Sequence, residues 1–138
     1  MTVNNHSTFW GIARKKFIPG IAWFLLVLIL ICTPGEDLPK VDNWLIEIDF
    51  DKFIHVGIFG VLAFLFMHPF SKSSLPNKQK WQYCIKIAIA TCIWGYATEL
   101  LQKYFIPGRS YDLMDWVSDS VGGLVALLIC KKFFLTDR

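Results

Sequence analysis

Charged residues are the scarce component of this 138-residue chain: 18% of it is charged, against 54% hydrophobic and 16% aromatic. Soluble domains carry about 25% charged residues, so an ordinary water-soluble globule is excluded. Disorder is excluded as well, because it needs few aromatics and a high net charge, and the net charge here is only +3. Other signatures are also missing. None of the four cysteines forms a C-x-x-C pair, which argues against a thiolate zinc site and leaves packing as their role. No small-x-small cleavage site follows the first apolar run, and Ile31 before Cys32 argues against lipoprotein processing, so that run reads as an uncleaved helix. No repeat or low-complexity tract is visible. The basic residues sit in short clusters beside apolar blocks, so no nucleic-acid partner is expected.

What is present is four apolar blocks, at about 17–33, 53–70, 81–105 and 113–134. A bilayer core of about 30 Å takes roughly 20 residues of helix. The charges inside the third and fourth blocks (Lys86, Glu99, Asp115, Asp119, Lys131 and Lys132) fall near the block ends, and Trp81, Tyr83, Tyr104, Tyr111 and Trp116 mark interfaces as an aromatic belt would. The fold predicted is all-α: an integral membrane bundle of four transmembrane helices over 17–135, preceded by a segment 1–16. Pro34-Gly35, Pro76-Asn77 and Pro107-Gly108 mark the connections, and the last is short enough to make helices three and four antiparallel neighbours. Within 34–52, Trp44, Ile46, Ile48 and Phe50 alternate with acids, compatible with a surface strand or a turn.

Sorting the charges by segment orients the bundle. The N-terminal segment, the 71–80 connection and the C-terminal tail hold nine cations and one acid, Asp137, whereas the other side holds four cations and ten acids. The positive-inside rule then puts both termini in the cytoplasm and the 34–52 and 106–112 loops outside. A plasma-membrane, multi-pass, N-in/C-in protein follows, with membrane lipid as its first partner. Arg14, Lys15 and Lys16 beside Phe17 suit anionic lipid. His6 and His68 fall on the cytoplasmic side.

The polar residues of the spans converge at the outer ends of helices two to four. Asp51 and His55 share a helix face, Glu99 and Gln102 share another, and Asp112, Asp115 and Asp119 form one stripe leading to Gly122 and Gly123. Ionisable groups inside spans are functional candidates by default. This cluster sets Lys52 and Arg109 against five acids, an excess that protonation of a carboxylate or of His55, or a bound cation, would relieve.

The order Asp51-Lys52-x-x-His55, Glu99-x-x-Gln102, Pro107-Gly108-Arg109, Asp115-x-x-x-Asp119 and Gly122 resembles the VanZ-like membrane proteins across residues 51–123. Asp119 stands where that family often has Asn. The resemblance implies a membrane fold and an association with resistance to the glycopeptide teicoplanin, more than any defined reaction.

Three readings of the cluster follow. In the first, the protein is an enzyme acting on a lipid head group or lipid-linked cell-wall precursor. His55 is then base or nucleophile oriented by Asp51, and Glu99 is the acid/base partner. Lys52, Gln102, Arg109, Ser110 and Asp112 contact the substrate, and a divalent cation sits on Glu99, Asp115 and Asp119. In the second, the same pocket binds a lipid, a wall precursor or a glycopeptide without turnover. In the third, the protein is a structural or accessory membrane subunit, and the cluster is an interhelical network: Arg109 with Glu99 or Asp115, Lys52 with Asp51 or Asp119. The topology has a direct test. Alkaline phosphatase should be active when fused after Asn43 and inactive when fused at the C-terminus, with green fluorescent protein giving the reverse pattern; the opposite result inverts the orientation.

Overall fold

The computed structural model describes residues 12–37 and 49–135. A 3-10 turn, Arg14–Phe17, leads into α1 (Ile18–Cys32), followed by α2 (Phe50–Ser71), α3 (Asn77–Phe105) and α4 (Leu113–Phe134). All four helical segments are long and apolar enough to cross a membrane, and no strand occurs among the described residues. Most of the 34–52 stretch, where the sequence left strand or turn open, lies outside the described residues.

α2 and α3 start earlier than their apolar blocks do, at 50 rather than 53 and at 77 rather than 81. Apolar content marks only the hydrocarbon-spanning part, whereas the backbone continues helical through polar residues at the interface. Pro76 precedes the first residue of α3, where a missing N–H breaks no helical bond. Pro19 occupies the first turn of α1 for the same reason.

α2 packs most extensively on α4, α3 lies against both, and α1 leans mainly on α2. α2 and α4 run parallel, since partners from Lys52–Asp115 to His55–Asp119 keep sequence separations of 63 and 64. Deeper along the same pair, the backbones meet at Gly60 and Gly122. A Cβ on Gly122 would stand 2.5 Å from the Val56 carbonyl oxygen and 2.7 Å from the Gly60 nitrogen. Small residues permit this approach between membrane helices, and here only hydrogen fits. Below the crossing, Ala63, Met67, Cys84, Ala126 and Cys130 form a buried cluster joining α2, α3 and α4. α1 is attached by Val27 and Ile31 against Phe59 and Leu62, and by the Trp23 indole N–H donating 3.0 Å to the Ile58 carbonyl.

The outer surface is apolar: Ile18, Ile29, Phe53, Ile93 and Phe133 are strongly exposed, while Glu99, Gln102 and Asp119 are buried. The basic segments gather at one end. Ile12 packs with Phe70 and Leu75 there, Lys72 lies over the Phe134 ring, and Lys131 lies over Trp81.

The glycine crossing yields a graded prediction. Gly122→Ala should cost about 1–3 kcal/mol of stability, as overpacking does, and lower the thermal midpoint of detergent-purified protein. Gly57→Ala, whose added methyl meets nothing within 4 Å, should leave that midpoint unchanged. Equal midpoints for the two variants would contradict the close crossing.

Candidate functional site

The parallel pairing places the N-terminal turns of α2 and α4 side by side, with the C-terminal end of α3 beside them. The connection from α3 to α4 is built by Ile106-Pro107-Gly108-Arg109. Proline presets the first central position of the turn, Gly108 takes the positive φ of 72° that the second requires, and the Arg109 N–H returns to the Ile106 carbonyl at 3.3 Å. Asp112 then caps α4, its side chain accepting from the Met114 N–H at 2.8 Å. The Asp112 N–H itself donates to Glu99 Oε2 at 2.9 Å, so the same residue ties the loop to α3.

The polar groups form two layers. In the upper layer the Lys52 ammonium donates to Asp51 at 2.7 Å, Asp112 at 2.7 Å and Asp115 at 2.6 Å. This hydrogen bond from Lys52 holds the Asp112 carboxyl below its usual range. Asp51 and Asp115 occupy first helical turns, where the helix dipole favours negative charge. One turn deeper, His55 Nδ1 lies 2.8 Å from Asp119 Oδ1, and Nε2 lies 3.6 Å from Asp115 Oδ2. The Asp119 carboxylate faces α3 at Gly95, where a Cβ would meet Asp119 Oδ2 at 2.9 Å. Ligand atoms of His55, Glu99 and Asp119 all lie within 4.8 Å of one another. Two carboxylate charges at that separation repel by about 3–4 kcal/mol at an effective dielectric constant near 20.

A cavity of about 370 Å³ adjoins the deeper layer between α1, α2 and the end of α3. Val27, Leu30 and Ile31 of α1 face Ile54, Ile58 and Phe59 of α2 across it, while Asp51, His55, Gln102 and Arg109 supply its polar lining. Arg109 is half-buried and makes no ion pair with any described residue.

The structure therefore gathers the sequence-derived residues but pairs them differently. His55 contacts Asp119 and not Asp51: a fully buried carboxylate needs a donor, whereas Asp51 is exposed and satisfied by Lys52. Lys52 is engaged with three carboxylates rather than turned to a ligand. The three groups that converge are His55, Glu99 and Asp119, with His55 where the sequence reading had Asp115, because Asp115 faces Lys52. Glu99 is fully buried and does not line the cavity. The expected pairs of Arg109 with Glu99 or Asp115, and of Lys52 with Asp119, do not occur. Ser110 is exposed at the rim. Two contributors went unnoticed in the sequence: Gly95, one turn before Glu99, and the α1 residues that wall the cavity. The first carried a signal in its helical spacing to Glu99, the second none beyond being apolar.

Comparison with known proteins adds one result. Neither a curated protein nor a solved structure gives a significant match, whereas residues 8–135 match the family described as VanZ/LLP1. That match covers nearly the whole chain, with α1 as well as the three helices carrying the site, and the protein is a member of the VanZ/LLP1 family.

Proposed function

We propose that this protein binds a membrane amphiphile with an anionic head group, a lipid or a lipid-linked cell-wall precursor, at the extracytoplasmic side of the plasma membrane. The observation that carries this reading is the two-faced cavity between α1 and α2. Its aliphatic walls suit a hydrocarbon chain, and its polar end presents the Arg109 guanidinium with the Gln102 amide and His55. A guanidinium fork matches phosphate and carboxylate oxygens in bidentate fashion. Because Asp51, Asp112 and Asp115 are held by Lys52, the nearest acids are already engaged. The volume, about 370 Å³, lies within the usual range of small-molecule sites, about 300–1,000 Å³.

Binding is favoured over acid/base turnover by the placement of Glu99. Its burial outside the cavity means that His55 and Glu99 do not flank one substrate position. On this reading, the association with glycopeptide resistance would follow from sequestering or shielding a wall-precursor lipid at the outer surface.

Lipid mass spectrometry of protein purified from native membranes in mild detergent tests the proposal. One anionic amphiphile class should be enriched over its share of the bulk membrane. Arg109→Glu should reduce that enrichment at least tenfold, equivalent to about 1.4 kcal/mol or more. Ile54→Trp, which fills the apolar half from an exposed position, should do likewise. Bulk-like lipid composition in the unmodified protein, or full retention in Arg109→Glu, would overturn the reading.

A further inference from the structure

We propose that His55, Glu99 and Asp119 form a binding site for one divalent transition-metal ion of the Zn²⁺ or Mn²⁺ class, where α2, α3 and α4 meet. The proposal does not rest on what occupies the neighbouring cavity, with which the triad shares His55. Three observations carry it. The ligand atoms already lie within 4.8 Å of one another, each from a different helix. Glu99 and Asp119 are both fully buried. Each also keeps one buried oxygen, Glu99 Oε1 and Asp119 Oδ2, without a hydrogen-bond partner among the described residues. Native proteins rarely leave buried carboxylate oxygens unpartnered, and a bound ion is one of the standard reasons they do.

The donor set selects the ion. One imidazole nitrogen with two carboxylates suits borderline divalent metals, whereas Ca²⁺ prefers six to eight oxygens and Mg²⁺ keeps most of its waters. Bonds of about 2.0–2.1 Å put tetrahedral ligand atoms roughly 3.3 Å apart, so rotation of the long Glu99 side chain has only a short distance to close. His55 Nδ1 and Asp119 Oδ1, at 2.8 Å, are already nearer than that. The other ring nitrogen, Nε2, points toward Asp115 at 3.6 Å, the position in which an outer carboxylate orients a ligating histidine. Gly95 belongs to the same construction, because any side chain there would displace the Asp119 carboxylate. A dication would balance the two buried negative charges and join three helices at one point. Asp115, which the stripe of acids suggested as a ligand, becomes the positioning residue.

The test uses the full chain in detergent, stripped with a chelator, incubated with excess ZnCl₂ or MnCl₂, desalted and analysed for metal content. The unmodified protein should retain about one ion per chain, and its thermal midpoint should rise on loading, as it does when a ligand binds only the folded state. Glu99→Gln and His55→Ala, checked as monodisperse by size exclusion, should retain little metal and show no such rise. Asp115→Asn should still bind, with affinity lowered by about 10–100-fold as expected for an outer-shell partner. If the unmodified protein holds neither metal after loading, the proposal is wrong, whatever the variants do. Retention by Glu99→Gln equal to that of the unmodified protein would also overturn it, since the amide cannot replace the carboxylate charge.

Discussion

The contact on which this structure depends is the backbone approach of α2 and α4 at Gly60 and Gly122. Water supplies no hydrophobic drive between helices inside a bilayer, so packing and polar contacts must hold them together. The absent side chain of Gly122 lets the two backbones meet closely. Because the helices run parallel, that one crossing fixes the register of everything above it. Val56 and Gly60 meet Gly122, His55 meets Asp119 and Lys52 meets Asp115 as consequences of a single offset. Moving the crossing by one residue would turn His55 and Lys52 away from their acids together. The glycine is therefore as much a part of the site as the residues that bear charge.

Polarity in this bundle is inverted relative to a soluble one, and that inversion isolates the site. Most hydroxyls are consumed locally: Thr91, Thr98, Ser118 and Ser120 each donate to a carbonyl three or four residues earlier on their own helix. Such bonds satisfy a polar group without calling on a neighbouring helix. The indole of Trp116 is satisfied across the interface by the Cys92 carbonyl at 3.1 Å. The carboxylates of the spans have no such local outlet. They collect at the end opposite the basic segments, where two helix N-termini, a lysine and a histidine supply positive partners.

The fold was legible in the sequence to the extent that it follows from local composition. Four apolar runs of spanning length, and the proline-glycine pair before Arg109, lead directly to four helices and to the turn that ends α3. That these polar residues cluster was also legible, because charge inside a span is costly enough to stand out. What spacing along one helix could not reveal was which partner wins. Asp51 and His55 share a face, so their pairing was a reasonable expectation. The outcome was decided between helices: Lys52 reaches 60 and 63 residues along the chain to Asp112 and Asp115, and burial gives Asp119 the stronger claim on His55. The role of α1 was invisible for the opposite reason. An apolar wall of a cavity and an apolar face toward lipid have the same composition, and only the position of Val27, Leu30 and Ile31 against α2 separates them.

The layered arrangement also gives a physical meaning to Asp119, where the resemblance to VanZ-like proteins leads one to expect asparagine. An asparagine there could still accept a hydrogen bond from His55, and its amide group could donate to Glu99 or to a carbonyl, so a neutral side chain would leave less charge to balance. The carboxylate adds a negative charge beside a second one that is equally buried. Burying an ion without a partner is far more costly than burying an amide, and the upper lysine is already occupied by three acids. Beyond the Asp112 N–H that Glu99 accepts, compensation for Asp119 and Glu99 comes from protonation of a carboxylate, from His55 or from something bound between them. Of the triad, His55 alone is half-buried and also lines the cavity. Charge balance in the deeper layer and, on the proposed reading, ligand contact in the groove would act on the same imidazole, and its placement between Asp119 and Asp115 would couple the two halves of the site.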